Sequence, residues 1–149
     1  MKKESLKAAK VPENPSRRDK YNFIADVVQE TGSSLVFIEV NNVKVREFLN
    51  GDSPRASKGS GFLVDSEGLI LTNAHVISDV PGSNTIQVKL QDGRHFAGQI
   101  EALDKKSDLA TIRIPCKNLP VMKLGQSSKI RPGEFVIAMG SPLALRDYS

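Results

Sequence analysis

Cysteine occurs once, at Cys116, so no internal disulfide can form and nothing in the chain calls for an oxidising compartment. Histidine occurs twice, at His75 and His95. One cysteine and two scattered histidines lack the paired spacing of a zinc site, so no metal and no cofactor is expected. Tryptophan is absent and aromatics make up 5% of the residues, which leaves no interleaved aromatic and basic stripe for stacking nucleic-acid bases. No apolar run approaches the roughly 18 residues that a helical membrane span requires. What is present, 149 residues of which 39% are hydrophobic and 26% charged, is the composition of one globular domain with a modest core.

The formal charge of +4 suggests a nucleic-acid partner until it is located. Residues 1–20 hold seven basic side chains (Lys2, Lys3, Lys7, Lys10, Arg17, Arg18, Lys20) against three acidic ones (Glu4, Glu13, Asp19), and residues 21–149 hold fourteen of each sign. The body is neutral, and no nucleic acid is expected as a partner. The first 20 residues, polar and interrupted by Pro12 and Pro15, read as a flexible basic leader. They lack the apolar stretch of a secretory signal and are too rich in lysine and acid for a clear mitochondrial transit peptide.

Residues 21–149 read as the folded unit. Tyr21, Phe23, Ile24, Val27 and Val28 recur at three- and four-residue spacing, with Asp19 as a candidate N-cap and Gly32 beyond the end, which predicts a short amphipathic helix over Tyr21 to Gln29. The period then changes to runs rich in β-branched residues. Strands are predicted at Leu35 to Val40, Phe62 to Val64, Leu69 to Thr72, Thr85 to Leu90, Phe96 to Leu103, Leu109 to Ile114 and Phe135 to Met139. Gly68 and Gly93 stand where hairpin turns need a positive φ, and Asn41 to Lys58 reads as a long exposed loop. The expected fold is all-β, a sandwich or barrel with one short helix.

His75 lies in Leu71-Thr72-Asn73-Ala74-His75-Val76, where an apolar strand runs into a turn of small residues. Asp108 lies 33 residues on, at the mouth of the strand that begins at Leu109. Alone, each has an ordinary reading, a surface or core imidazole and a strand-start carboxylate. Together they can do more: a carboxylate that accepts the Nδ1 hydrogen fixes the tautomer and leaves Nε2 free as a general base.

Gly59-Ser60-Gly61-Phe62, Leu69 to Val76, Ser107 to Ile114, Leu124-Gly125-Gln126-Ser127 and Gly133 to Pro142 resemble, in order and spacing, the protease domain of the HtrA (DegP-like) serine endopeptidases. Tyr21 to Val28 and Gly133 to Pro142 look nearest to the mitochondrial, Omi-type branch. The resemblance implies a chymotrypsin-like first barrel of six strands, with His75 as general base and Asp108 as its orienting carboxylate. It also implies that Tyr21 and Phe23 serve trimerisation, with an ordinary helix packed on its own barrel as the alternative for those two aromatics. By the same likeness the location is mitochondrial, and the substrates are unfolded or misfolded polypeptides in protein quality control.

The family's nucleophile stands in a Gly-Asn-Ser-Gly-Gly-Pro block on a second barrel. No such block occurs in these 149 residues, no Gly-x-Ser-x-Gly replaces it, and Cys116 has no sequence context of a reactive thiol. Losing the serine alone from such a triad costs about 10⁶ in kcat. The expectation is therefore a truncated or alternatively spliced trypsin-like serine protease domain over 21–149, with most of the second barrel missing, no PDZ domain, and no peptidase activity of its own. The alternative is a non-enzymatic regulatory partner that associates with full-length protease subunits, as a homo-trimer or in hetero-association.

Overall fold

The computed structural model describes residues 22–42, 55–78 and 84–140. Its elements in chain order are α1 (Phe23–Gly32), β1 (Leu35–Asn42), β2 (Arg55–Asp65), β3 (Leu69–Thr72), a short α2 (Ala74–Ser78), β4 (Asn84–Leu90), β5 (His95–Asp104), β6 (Leu109–Arg113) and a 3₁₀ turn at Ser127–Lys129. The six strands close into one antiparallel barrel in the order β1-β2-β3-β6-β5-β4, in which β1 also pairs with β4. Closure gives every strand a neighbour on both sides, so the barrel presents no free edge.

The alternation in the sequence decides which side chains face inward. Val36, Ile38 and Val40 of β1, Ile86, Val88 and Leu90 of β4, and Ala110 and Ile112 of β6 are buried, joined by Leu63, Ile70 and Ile114. Gly61 on β2 faces the same interior. A Cβ there would come within 2.8 Å of the Leu71 carbonyl oxygen and 3.0 Å of Ile38 Cδ1, so a hydrogen is all the space allows. Gly68, in the β2–β3 turn, has φ +91°, and a Cβ on it would run into the Ile114 carbonyl oxygen. That residue also accepts the Ile114 amide through its own carbonyl, at 3.0 Å.

The predicted all-β fold with one helix is what the structure shows, with adjustments at several boundaries. β3 spans the predicted residues, whereas β1 runs on to Asn42 and β2 starts at Arg55, so both ends of the expected Asn41 to Lys58 loop belong to the sheet. The remainder of that loop, the leader, Tyr21 and the proposed cap Asp19 lie outside the described residues. Gly32 closes the last turn of α1 instead of following it, and Asn22 at the N-cap makes no side-chain cap bond. His75 sits in a single helical turn rather than a plain loop. Phe135 to Met139, expected as a strand, pairs with no strand among the described residues. A strand needs a partner's carbonyls and amides, and the closed barrel offers none to this segment.

That segment is tied instead to α1, with the Phe135 ring 5.8 Å from the Phe23 ring. Thr31 Oγ1 lies 3.2 Å from Met139 Sδ, and Lys123 pairs with Glu30 at 3.1 Å. The tie is partial. Phe23, Ile24, Val27 and Val28 each keep 40 to 45% of their surface in solvent, and Phe135 and Val136 keep 81% and 82%. Among the described residues no helix is long and apolar enough to cross a membrane.

Two outcomes test this account. Gly68→Ala combines a disfavoured φ with a backbone clash and should destabilise the barrel by roughly 2 to 4 kcal/mol in urea unfolding. Acid should destabilise it as well. The Arg94 side chain holds the Asp92 carboxyl below its ordinary value, Arg113 does the same for Glu101, and the Ser107 hydroxyl does it for Asp104. Lowered in the folded state, these groups stabilise it above the ordinary carboxylate range, and the contribution is lost as the pH falls through their folded values. Thermal midpoints should therefore decline below about pH 4, the ordinary carboxylate range. The decline should be shallower in Arg113→Ala, which removes the partner of Glu101.

Candidate active site

β3 delivers the chain to one end of the barrel, where the Thr72 hydroxyl donates to the Ser60 carbonyl at 2.9 Å and pins the strand's last residue to β2. Asn73 follows, and α2 begins. Ala74, Val76 and Ile77 are buried and fasten this single turn to the barrel end. His75 lies between them in sequence and so points the other way, its side chain 61% exposed.

Asp108 arrives from β5. The Asp104 carboxylate accepts from the Lys106 amide at 2.9 Å and the Ser107 hydroxyl at 2.6 Å, which tightens the turn. Asp108 closes it at φ +56°, a left-handed conformation that aspartate tolerates better than most residues. The β3–β6 register pairs Thr72 with Ala110. Two residues further along the same antiparallel line Ala74 meets Asp108, and the Ala74 amide donates to the Asp108 carbonyl at 3.2 Å.

Around that rung the side chains converge. Asp108 Oδ1 accepts from the His75 backbone amide at 2.9 Å, and Oδ2 lies 2.8 Å from His75 Nδ1. Asn73 Nδ2 donates to both the carbonyl oxygen and Oδ2 of Asp108, at 3.1 and 3.2 Å. The His75 amide, then the His75 ring, with the Asn73 amide adding to them, hold the Asp108 carboxyl below its ordinary value. An ionised carboxylate only accepts, so Nδ1 carries the hydrogen and Nε2 presents a lone pair. The arrangement can take a proton at Nε2 and stabilise the imidazolium that results.

The structure thus brings His75 and Asp108 together. Phe23 lies apart from them, on α1 against Phe135, and Tyr21 is outside the described residues. His95 opens β5 opposite Lys89, and Cys116 accepts from Arg94 at 3.3 Å. Asn73 is the residue the sequence reasoning missed. Its signal was its place two residues before His75 in the same quoted stretch. A cavity of about 290 Å³, lined among others by Ser60, Gly61, Thr72, Asn73, Leu109 and Met139, opens beside the pair. Among the described residues no three His, Cys, Asp or Glu side chains gather as a metal site.

The trypsin-like peptidase domain model matches residues 59–148, a stretch that includes both His75 and Asp108. The protein named "Serine protease HTRA2, mitochondrial" in Drosophila pseudoobscura pseudoobscura is 53% identical over 129 residues, covering 87% of this chain and 30% of that protein. Its namesakes in Drosophila persimilis and Drosophila willistoni are 53% and 52% identical over the same shares. The chain spans about 30% of the length of these curated relatives. The likeness to the HtrA family expected from the quoted motifs is borne out at this level of identity, and the chain belongs to the trypsin-like peptidase domain family.

Proposed function

We propose that this chain carries the base half of an HtrA-type serine endopeptidase of protein quality control. His75 is its general base and Asp108 the carboxylate that orients it. The observation that carries the reading is the 2.8 Å contact between His75 Nδ1 and Asp108 Oδ2, with the same carboxylate also held by the His75 backbone amide. In the reaction, Nε2 of His75 takes the proton of a serine hydroxyl as that oxygen attacks a peptide carbonyl, then returns it to the leaving amine. Asp108 stays ionised throughout and stabilises the imidazolium.

The nucleophile and the donors for the oxyanion come from sequence outside these 149 residues, whether joined to them or on another subunit. Hydrolysis by the 149-residue polypeptide alone is not expected, because Ser60 and the other serines stand in no Gly-x-Ser-x-Gly setting. The substrates are unfolded or misfolded polypeptides, and the setting is mitochondrial, as in the name of the HTRA2 relatives.

A second reading, in which the chain regulates full-length protease subunits by joining them as a trimer or mixed assembly, is favoured by one observation. The apolar face of α1, with Phe23, Ile24, Val27 and Val28, is left 40 to 45% exposed by its own barrel. Burial of such a face on another subunit is the usual outcome.

The readings are separated by measuring cleavage of an unfolded protein. The 149-residue chain alone should show none. Joined to the part of an HTRA2 relative that carries its serine block, it should cleave, and His75→Ala in the joined protein should lower kcat by about 10⁶. Asp108→Asn should cost about 10⁴, because the ring then loses its tautomer and its charge partner. Cleavage that survives His75→Ala would overturn the assignment. Lower activity of full-length subunits on mixing with the unjoined chain, lost on Phe23→Ser, would establish the regulatory reading. A tagged chain should colocalise with mitochondria.

A further inference from the structure

Asn73 stands immediately before α2, where an asparagine side chain ordinarily accepts a hydrogen bond from an amide of the turn it precedes. Here it is used otherwise. Its Nδ2 donates to the carbonyl oxygen of Asp108 at 3.1 Å and to the carboxylate Oδ2 at 3.2 Å. Both atoms it faces are acceptors, and an amide oxygen turned toward them would set lone pairs against lone pairs. The chemistry therefore fixes which end of the amide points at Asp108. The amide that a cap would take, that of His75, is instead satisfied by Asp108 Oδ1 at 2.9 Å. Cap and orienting carboxylate are thus one side chain, and Asn73 is free to act on it.

We infer that Asn73 is a positioning residue for the His75–Asp108 pair, holding Asp108 in its left-handed turn and Oδ2 at the point where it meets the Nδ1 hydrogen of His75. Three features support this. Asp108 sits at φ +56°, where the backbone of a non-glycine residue needs outside support, and the Asn73 amide grips its carbonyl. The His75 ring is 61% exposed, and among the described residues Asp108 is its hydrogen-bond partner, so the ring is only as well oriented as Oδ2 is. Finally, Oδ2 is shared between the ring and the Asn73 amide, while Oδ1 is taken by the backbone. With both oxygens held, the carboxylate cannot rotate Oδ2 away from Nδ1 without breaking bonds on both. Of the described residues, His75 is the titratable group that faces Asp108, and Asn73 also helps to keep that carboxyl ionised.

The inference rests on the general-base reading for its consequence in catalysis but not for its structural content, and the test separates the two. In the 149-residue chain, nitrogen shifts of labelled His75 report the fraction of ring carrying hydrogen on Nδ1, and the carboxyl carbon of Asp108 reports its titration midpoint. Asn73→Ala should lower the Nδ1 fraction and raise the Asp108 midpoint. Asn73→Asp, which keeps the shape but replaces the donor with an acceptor, should raise the midpoint further. In the chain joined to a relative's serine block, Asn73→Ala should cut kcat about tenfold with KM unchanged, a smaller loss than removal of the base itself. If both variants keep the parent Nδ1 fraction, Asp108 midpoint and kcat while melting earlier, Asn73 is merely structural and the inference is overturned. If His75→Ala leaves cleavage intact, the general-base reading fails, and the hold of Asn73 on Asp108 still stands or falls by the two spectroscopic measurements.

Discussion

The pairing of β3 with β6 is the constraint on which the site depends. The paired positions nearest in sequence, Thr72 and Ala110, are 38 residues apart, and a slip of one residue would turn every inward side chain outward. Ile70 and Ile112 are both fully buried in the present register, so a slip of either strand would expose its isoleucine, and a slip of β6 would turn Thr111 and Arg113 inward. The hydrophobic core thereby sets the register. The register in turn sets which residue of the α2 turn meets which residue of the β5–β6 turn. Ala74 opposite Asp108 is the next rung of the same ladder, and the contact between His75 and Asp108 is formed around it.

Barrel closure contributes the second requirement, that β3 and β6 be neighbours at all. β1 bridges β2 and β4, which leaves β3 and β6 adjacent on the other side of the barrel. Small residues make that closure tight. Gly61 brings β2 to within a hydrogen's width of the Leu71 carbonyl and Ile38, and the Thr72 hydroxyl then binds the Ser60 carbonyl across the β2–β3 pair. Positioning of the dyad is therefore distributed through apolar packing several residues away from it. The polar groups at the barrel end make only the last adjustment.

Much of this was legible in the sequence because it is carried by period and by special residues. Leu69 to Thr72 and Leu109 to Ile114 read as strands because they are short runs rich in apolar and β-branched residues. Gly68 and Gly93 read as turns because only glycine takes φ +91° at little cost. What was not legible depends on partners outside the segment. Phe135 to Met139 has the pattern of a strand, but a pattern cannot say whether a ladder partner is available, and among the described residues none pairs with it. Arg55 to Lys58 lacks a strand pattern, yet it is drawn into β2 by pairing with β1. The α2 turn follows from burial of Ala74, Val76 and Ile77 at the barrel end, which five residues of propensity do not reveal. Asn73 could be read as an ordinary cap. Its actual use needs Asp108 beside it, which only the ladder supplies.

The dyad is preformed yet wet. Five hydrogen bonds hold Asp108 to Asn73, Ala74 and His75, all of them within two turns at one end of the barrel. Its side chains are nonetheless 61% and 44% exposed, and in water a contact of this kind contributes little. The same contact gains strength as water is removed, since the attraction between imidazolium and carboxylate rises as the local dielectric falls. Geometry and electrostatic strength thus come from different sources: the ladder provides the first, and a surface that covers the cavity beside Asn73 and Leu109 would provide the second. This division lets the barrel fold without burying an unpaired charge, because Asp108 and His75 are satisfied by each other, by Asn73 and by solvent in the uncovered state.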